Sequence, residues 1–319
     1  MKQVEQKKFD VIVVGEINVD LIMNKVQSFP EIGKEKFAGD MTLTLGSSAA
    51  IFANNLSILG LKVSFIGKAG NDIFGNFCKK NLSENRVDIS MLYTSDEDQT
   101  GATVVLNFDD DRANITFQGA MSTLKAEDIT EEMLGMGKHL HFSSYFLQPG
   151  FQDKLDELLK RAKQAGLTTS LDVQWDPTER WLFDYKKILP DVDIFMPNEA
   201  ELINLIKEKS VEAALSAISD YGNVIVVKKG HRGSVLSYKK RIIEGMPFFN
   251  KQVVDAIGAG DSFNAGFIFK FLCGADIETC QVFANLMGAV STTAAGGTGA
   301  FKNYQQILKT AREKFGYGE

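Results

Sequence analysis

Short apolar runs bounded by turn residues alternate along most of the chain with stretches whose apolar residues recur every three or four positions. The runs at 9–15 (FDVIVVG), 62–67, 139–143, 168–172, 193–196, 224–228 and 234–238 predict strands. Helical spacing predicts helices over 48–59 closing at Gly60, over 74–85, over 151–165 closing at Gly166, and from Asn198 and from Val211. A further helical pattern runs through Phe263, Phe267, Ile268, Phe271 and Leu272. Strands apolar on both faces and alternating with helices predict an α/β fold, a three-layer sandwich around a mainly parallel central sheet. On such sheets ligands sit at the carboxyl ends of the strands.

Two regions break the alternation. Residues 37–45 and 100–118 read as β-ribbon without companion helices, and the second flanks an acidic tip, Asp109, Asp110 and Asp111. Together they predict a small β-flap, contributed by insertions at about 34–46 and 100–119 of one domain spanning 1–319. A flap over a strand-end cleft excludes water during a reaction. An edge extension or a dimer contact fits the same pattern, because an exposed ribbon needs its edges covered.

Composition narrows the classes. At 319 residues, 44% apolar and 24% charged, the chain is that of an ordinary globular protein. A net charge of −6, with no basic run interleaved with aromatics, argues against nucleic acid. No segment approaches the roughly 18 apolar residues of a membrane span, and the polar start lacks the apolar stretch of a signal peptide. Cys78, Cys273 and Cys280 are odd in number and lack CxxC spacing, which fits a reducing cytoplasm. His139 and His141 share one strand face without further ligands near in sequence and read as packed strand residues rather than a metal site.

The densest chemistry lies in DAIGAGDSFNAG at 255–266. Gly258, Ala259 and Gly260 let backbone amides approach a ligand closely, and the helix start behind them favours an anion. Asp261 puts a carboxylate at the same place. An anion cradle beside a base suits transfer of a phosphoryl group to a hydroxyl. A plain helix cap, with Asp as N-cap after a glycine turn, explains GAGD alone equally well.

Three other clusters accompany it. In GEINVD at 15–20, read as the end of the first strand, period-2 alternation puts Glu16, Asn18 and Asp20 on one side. Asn and Asp at a strand end can bind vicinal hydroxyls, and a solvated strand face looks the same. Asn198 and Glu201 have the spacing of a capping box, the favoured reading; they also suit holding water on a Mg²⁺ that bridges phosphates. Lys228 to Gly233 is either a glycine hairpin turn or a border to a nucleotide's phosphates or base. No GxxxxGK[ST] is present, and GEINVD rather than GxGxxG follows the first strand, which disfavours P-loop NTPases and Rossmann dehydrogenases.

Taken in order, these segments resemble the ribokinase-like (phosphofructokinase-B, PfkB) family of sugar and nucleoside kinases over nearly the whole chain. DAIGAGDSFNAGF is similar to the family's DTxGAGDxFxxG signature. GKAGNDIFGNFCKKNLSENRVDIS is similar to its GxxGxDxxGxxxxxxLxxxGVD stretch, MPNEAEL to its NxxE element, and VVKKGHRGSVL to its strand–turn–strand. The resemblance implies Asp261 as the base, with Gly258, Ala259 and Gly260 as the anion hole for the γ-phosphoryl. It implies Asn18, Asp20, Gly46 and Ser47 at the sugar. Asn198, Lys228, Gly230, Gly233 and Asn285 are implied at ATP, Glu201 at Mg²⁺, and Asp255 with the loop 295–299 at a monovalent cation, K⁺. It further implies that the β-flap is a lid, through which many members also form a homodimer.

Two segments depart from the family pattern, one at the substrate and one at the cation loop. Where family members read GGxxxN, this chain has Ser47 in place of the second Gly and Ile51 in place of the Asn. Ile51 cannot bond a hydroxyl, so ribose is disfavoured against a fructose-like sugar or a keto-deoxy sugar acid. The family's DTT is Asp255, Ala256 and Ile257, which removes two hydroxyls near the cation loop. The expectation is an ATP- and Mg²⁺-dependent kinase acting on a hydroxymethyl group of a monosaccharide or sugar acid. A nucleoside kinase on the same fold and a non-catalytic sugar-binding protein are the alternatives.

Overall fold

A computed structural model describes residues 7–108 and 111–318, with Asp111 at the backbone only. The acidic tip expected at 109–111 therefore lies outside the described side chains.

Alternation within the strands splits their side chains between two cores. Ile12 and Val14 of strand Phe9–Val14 join Leu140, Phe142, Leu171 and Phe195 under one helical layer. Val11 and Val13 join Ile194, Met196, Val226 and Phe267 under the other. The central sheet has eight strands in the order Arg241–Gly245, Ser234–Tyr238, Val224–Lys228, Ile194–Phe195, Thr168–Asp172, Gly137–Ser143, Phe9–Val14 and Val63–Ile66. Every pairing from Val224–Lys228 to Val63–Ile66 is parallel; the two pairings beyond it are antiparallel. This is the α/β sandwich expected from the alternation. The chain leaves Phe9–Val14 toward Val63–Ile66 on one side and returns to Gly137–Ser143 on the other, so the strand order reverses there. A crevice opens at the carboxyl ends beside that reversal.

The flap is a separate four-stranded sheet, Asp40–Leu45, Asn18–Asn24, Gly101–Phe108 and Asp111–Phe117. Its second strand corrects the expectation that 15–20 ends the first strand: Asn18–Asn24 belongs to the flap. The chain turns at Gly15, where a Cβ would lie 2.2 Å from Ala49 Cβ of helix Ser48–Leu59, so only glycine passes this close. One flap face carries Asn18, Asp20, Thr103 and Thr116. The register lines up the other in apolar rows: Leu45, Val19, Ala102 and Phe117; Leu43, Leu21, Val104 and Ile115; Met41, Met23, Leu106 and Ala113.

Beyond the elements read from sequence, strand Arg241–Gly245 and helices Ile277–Ser291 and Tyr304–Phe315 complete the sandwich. No helix among the described residues is long and apolar enough to cross a membrane.

Candidate active site

A cleft of about 1740 Å³ opens between the carboxyl ends of the sheet and the polar face of the flap. Helix Ala259–Leu272 starts in its wall. Gly258 at its N-cap has φ 72°, no side chain caps the helix, and a Cβ there would lie 2.4 Å from Gly297 Cα. Gly260 is different: a Cβ on it would meet nothing closer than 3.8 Å, the Lys228 side chain. Packing therefore requires glycine at 258 but not at 260, where the glycine leaves room on the cleft side. Gly258, Ala259, Gly260 and Asp261 all line the cleft.

Asp261 is buried among charges. Burial pushes its pKa from the ordinary 3.8 up to about 7; Asp172 and Glu16 add to the rise, while Lys228 and the Ser48 hydroxyl oppose it. The Lys228 ammonium donates to Asp172 Oδ2 at 2.5 Å, pairing an 11% exposed side chain with a fully buried one. Asn264 Nδ2 also donates to Asp172 Oδ2. Gln174 Nε2 lies 3.3 Å from both Asp172 Oδ2 and Asp261 Oδ1 and bridges the two carboxylates. Burial works to lower the Lys228 pKa, but Asp172 and Glu201 hold it above the ordinary value, so the group stays cationic.

Glu201 and Asn198 form the capping box expected of helix Glu199–Ile206, and both also line the cleft. Asn198 donates to Glu201 through its backbone N to Oε2 at 2.7 Å and its Nδ2 to Oε1 at 2.6 Å. Burial raises the Glu201 pKa, Asp172 adds to the rise, and Lys228 opposes it. The capping box thus forms part of the cleft wall.

At the other end of the cleft Asn18 Nδ2 donates to Asp20 Oδ1 at 3.1 Å and to Thr103 Oγ1 at 3.0 Å. Burial lifts the Asp20 pKa to about 6, with Asn18 and Arg112 working against the rise. Gly46 does not line the cleft; it seats Asp20, since a Cβ there would lie 2.3 Å from Asp20 Oδ1. Ser47 lines the cleft and caps helix Ser48–Leu59, its Oγ accepting from Ala50 N at 3.0 Å. Ile51 packs where a Cβ on Gly297 would lie, at 2.4 Å from its Cδ1, so the apolar residue at this position wedges the two glycine loops together.

Besides Gly46, three expected site residues do not line the cleft. Asn285 donates to Ser234 Oγ at 2.9 Å inside the sandwich. Gly233 shapes the turn, with φ 84° and a Cβ position 2.1 Å from Gly245 O, while Gly230 of the same turn does line the cleft. Asp255 accepts from Ile257 N at 2.9 Å and Gly296 N at 2.8 Å, tying the loop before the anion hole to the loop 295–299. His139 and His141 bond to Thr168 and Ser170 within the core, and the described residues contain no group of three or more His, Cys, Asp or Glu arranged for a metal.

Asp172, Gln174 and Arg112 carry site chemistry that the motifs did not mark. An acid ending the central strand Thr168–Asp172 was the available signal for the first. Arg112 and Lys228 are the only basic side chains lining the cleft among the described residues.

Comparison with known proteins identifies the family. Residues 8–303 match the family model described as pfkB family carbohydrate kinase. The chain is 30% identical over 234 residues to an uncharacterized sugar kinase of Archaeoglobus fulgidus, covering 73% of this chain and 92% of that protein. It is 28% identical to an ATP-dependent ribose-1-phosphate kinase of Halopiger xanaduensis, over 91% of this chain and 94% of the relative. It is 26% identical to a nucleoside kinase of Methanothermobacter thermautotrophicus, over 97% of each. Among solved structures, Arabidopsis thaliana ribokinase complexed with ribose and ATP superposes with a TM-score of 0.79 at 23% identity, over 94% of this chain and 98% of that one. The chain therefore belongs to the pfkB family of carbohydrate kinases and is a sugar or nucleoside kinase.

Proposed function

We propose that the protein transfers the γ-phosphoryl group of ATP to a hydroxymethyl group of a monosaccharide or sugar acid. The carrying observation is Asp261 in the first turn of an uncapped helix, behind a glycine that packing does not require. Asp261 accepts the hydroxyl proton as the hydroxyl oxygen bonds to the γ-phosphorus. The bond from that phosphorus to the β,γ-bridging oxygen breaks, and ADP leaves. The amides of Gly260 and Asp261 and the helix dipole stabilise the charge spread over the moving group, while the Ala259 amide donates to Ala256 O. Lys228 balances Asp172 and keeps the buried acids from excluding an anionic nucleotide.

Mg²⁺ fits the donor chemistry at Asn198 and Glu201. Each Glu201 oxygen accepts one hydrogen bond and keeps a lone pair for water on a metal that ATP phosphates also hold. Bound there, the ion neutralises phosphate charge. Asp255 likewise keeps a lone pair on each oxygen and, beside the loop 295–299, would be the residue to hold K⁺. Equal turnover in K⁺ and Na⁺ would remove that assignment.

Arg112, projecting from the flap strand Asp111–Phe117 near Asp20, favours an acceptor with a carboxylate, a keto-deoxy sugar acid over a neutral sugar. A nucleoside is the second reading, favoured by Met121, Phe146, Leu147 and Trp175, apolar walls against which a base can stack. An ATP-consumption assay over hexoses, pentoses, keto-deoxy acids and nucleosides decides between them. ADP formed with nucleosides alone moves the function to the second reading. Thermal stabilisation by a sugar with no ADP anywhere on the panel indicates a sugar-binding protein without catalysis.

The outer flap face leaves Met41, Ile115 and Phe117 60%, 65% and 54% exposed in one apolar surface. We extend the proposal to a homodimer through this face, since such a patch is unusual on a monomer. Sedimentation velocity showing only monomer at micromolar concentration would contradict it.

Two results follow for the chemistry. Asp261 must be ionised to accept a proton and its pKa lies at about 7, so kcat/KM falls as pH drops through about 7; a pH–rate profile flat from pH 8 down to 5.5 contradicts the assignment. Gly260→Ala folds normally but loses about tenfold or more in kcat/KM, because its methyl group enters the space of the phosphoryl group rather than of the protein. Wild-type kinetics for that variant would remove Gly260 from the anion hole.

A further inference from the structure

Glu16 is buried at the cleft, 2% exposed, and takes no part in the steps described above. Its Oε1 accepts a long hydrogen bond from Ala49 N, 3.4 Å, at the start of helix Ser48–Leu59. That contact explains one oxygen as an anion at a helix N-terminus. The other, Oε2, has no partner. The hydroxyl of Ser144, buried and also lining the cleft, has none either. Ser144 is held in the left-handed region, φ 60°, with its amide donating to Asp172 O at 2.9 Å, so the backbone fixes where its side chain begins. Val14 lies opposite Phe142 in the parallel ladder, so Glu16 and Ser144 follow the two strand ends side by side. Burial raises the Glu16 pKa, the Ser144 hydroxyl is near enough to oppose the rise as a donor without forming a hydrogen bond, and Glu16 in turn raises Asp261. The two unpartnered groups thus stand close to each other and to the base.

An alcohol needs an acceptor for its hydrogen and a donor for its oxygen. A carboxylate oxygen and a serine O–H supply that pair, and leaving both buried and unpaired is costly unless a ligand completes them. We propose that Glu16 and Ser144 hold a second hydroxyl of the acceptor, one that is not phosphorylated, and thereby set which acceptors are used. The inference rests on the kinase reading above and adds a requirement to it: the substrate carries a hydroxyl near the one that reacts. Glu16 so acts in binding, with Asp261 keeping the proton transfer.

The test compares wild type, Glu16→Gln and Ser144→Ala on the best acceptor of the panel and on its single-deoxy analogues. Glu16→Gln keeps an oxygen for Ala49 N and replaces the free acceptor by a donor. The expected wild-type result is one deoxy analogue whose kcat/KM falls by about 100-fold or more, as for a site built around a hydroxyl. Glu16→Gln lowers kcat/KM for the parent acceptor by about tenfold or more, chiefly through KM, and no longer distinguishes the parent from that analogue. Ser144→Ala shows the same loss of discrimination and serves if Glu16→Gln does not fold. An active wild type whose variants both retain its discrimination overturns this inference alone. A wild type inactive on the entire panel overturns the kinase reading and this inference with it.

Discussion

Asp261→Asn lowers turnover by about two orders of magnitude or more while the acceptor still binds. The amide keeps the size of the side chain and its place beside Gln174 but cannot take the hydroxyl proton. Its effect on stability has the opposite sign. The folded-state pKa of Asp261, about 7, lies above the ordinary 3.8. Between those values the folded chain binds a proton that the unfolded chain has released, so stability falls as pH rises through the window. Above it the buried charge is fully present. Asn carries no charge, so the variant melts at least about 2 °C above wild type at pH 8, with the gap closing toward pH 4. A helix cap without catalytic work predicts retained turnover, and retained turnover in this variant would falsify the base assignment.

Lys228→Met abolishes more. It leaves Asp172, fully buried, without its ammonium and next to two further acids, Asp261 and Glu201. Removing one partner of a buried pair costs about 3–5 kcal/mol, because the remaining charge has no compensation. Turnover falls by about 100-fold or more as well, since an anionic nucleotide then meets acids with no cation among them. Urea unfolding and steady-state kinetics read the two losses separately. Adding Asp172→Asn to Lys228→Met restores much of the stability and little of the turnover. If the double variant regains both, Lys228 serves the fold alone; if Lys228→Met unfolds like wild type, the pair contributes nothing.

What was legible in the sequence follows the range over which its signals act. Strands such as Phe9–Val14 and Val224–Lys228 are apolar apart from Asp10 and Lys228 near their ends because both faces are covered, and that pattern needs no knowledge of neighbours. GAGD lies within four residues, so glycines, helix start and acid could be read as one unit. Alternation over 15–20 reports that a strand exists, not which sheet it joins, and Asn18–Asn24 joins the flap. Asp172 and Lys228 are 56 residues apart and meet only through parallel pairing across Ile194–Phe195. Gln174 reaches Asp261 from 87 residues away. The resemblance implies Asn285 at the nucleotide, and its bond to Ser234, 51 residues away, is invisible locally. Helices Ile277–Ser291 and Tyr304–Phe315 are readable from their N-caps, Asp276 and Asn303, and the second also from its apolar spacing at Ile307 and Ala311.

The central claim is that this cleft moves a phosphoryl group from ATP onto a hydroxymethyl oxygen with Asp261 as base. Combined phosphorus and carbon NMR of the product, made from ATP and the best acceptor, tests it most directly. The expected spectrum shows a phosphomonoester coupled to a CH₂ carbon, formed by wild type and absent with Asp261→Asn. Inorganic phosphate without an ester, an ester on a secondary carbon, or an unchanged product yield from Asp261→Asn would each contradict it.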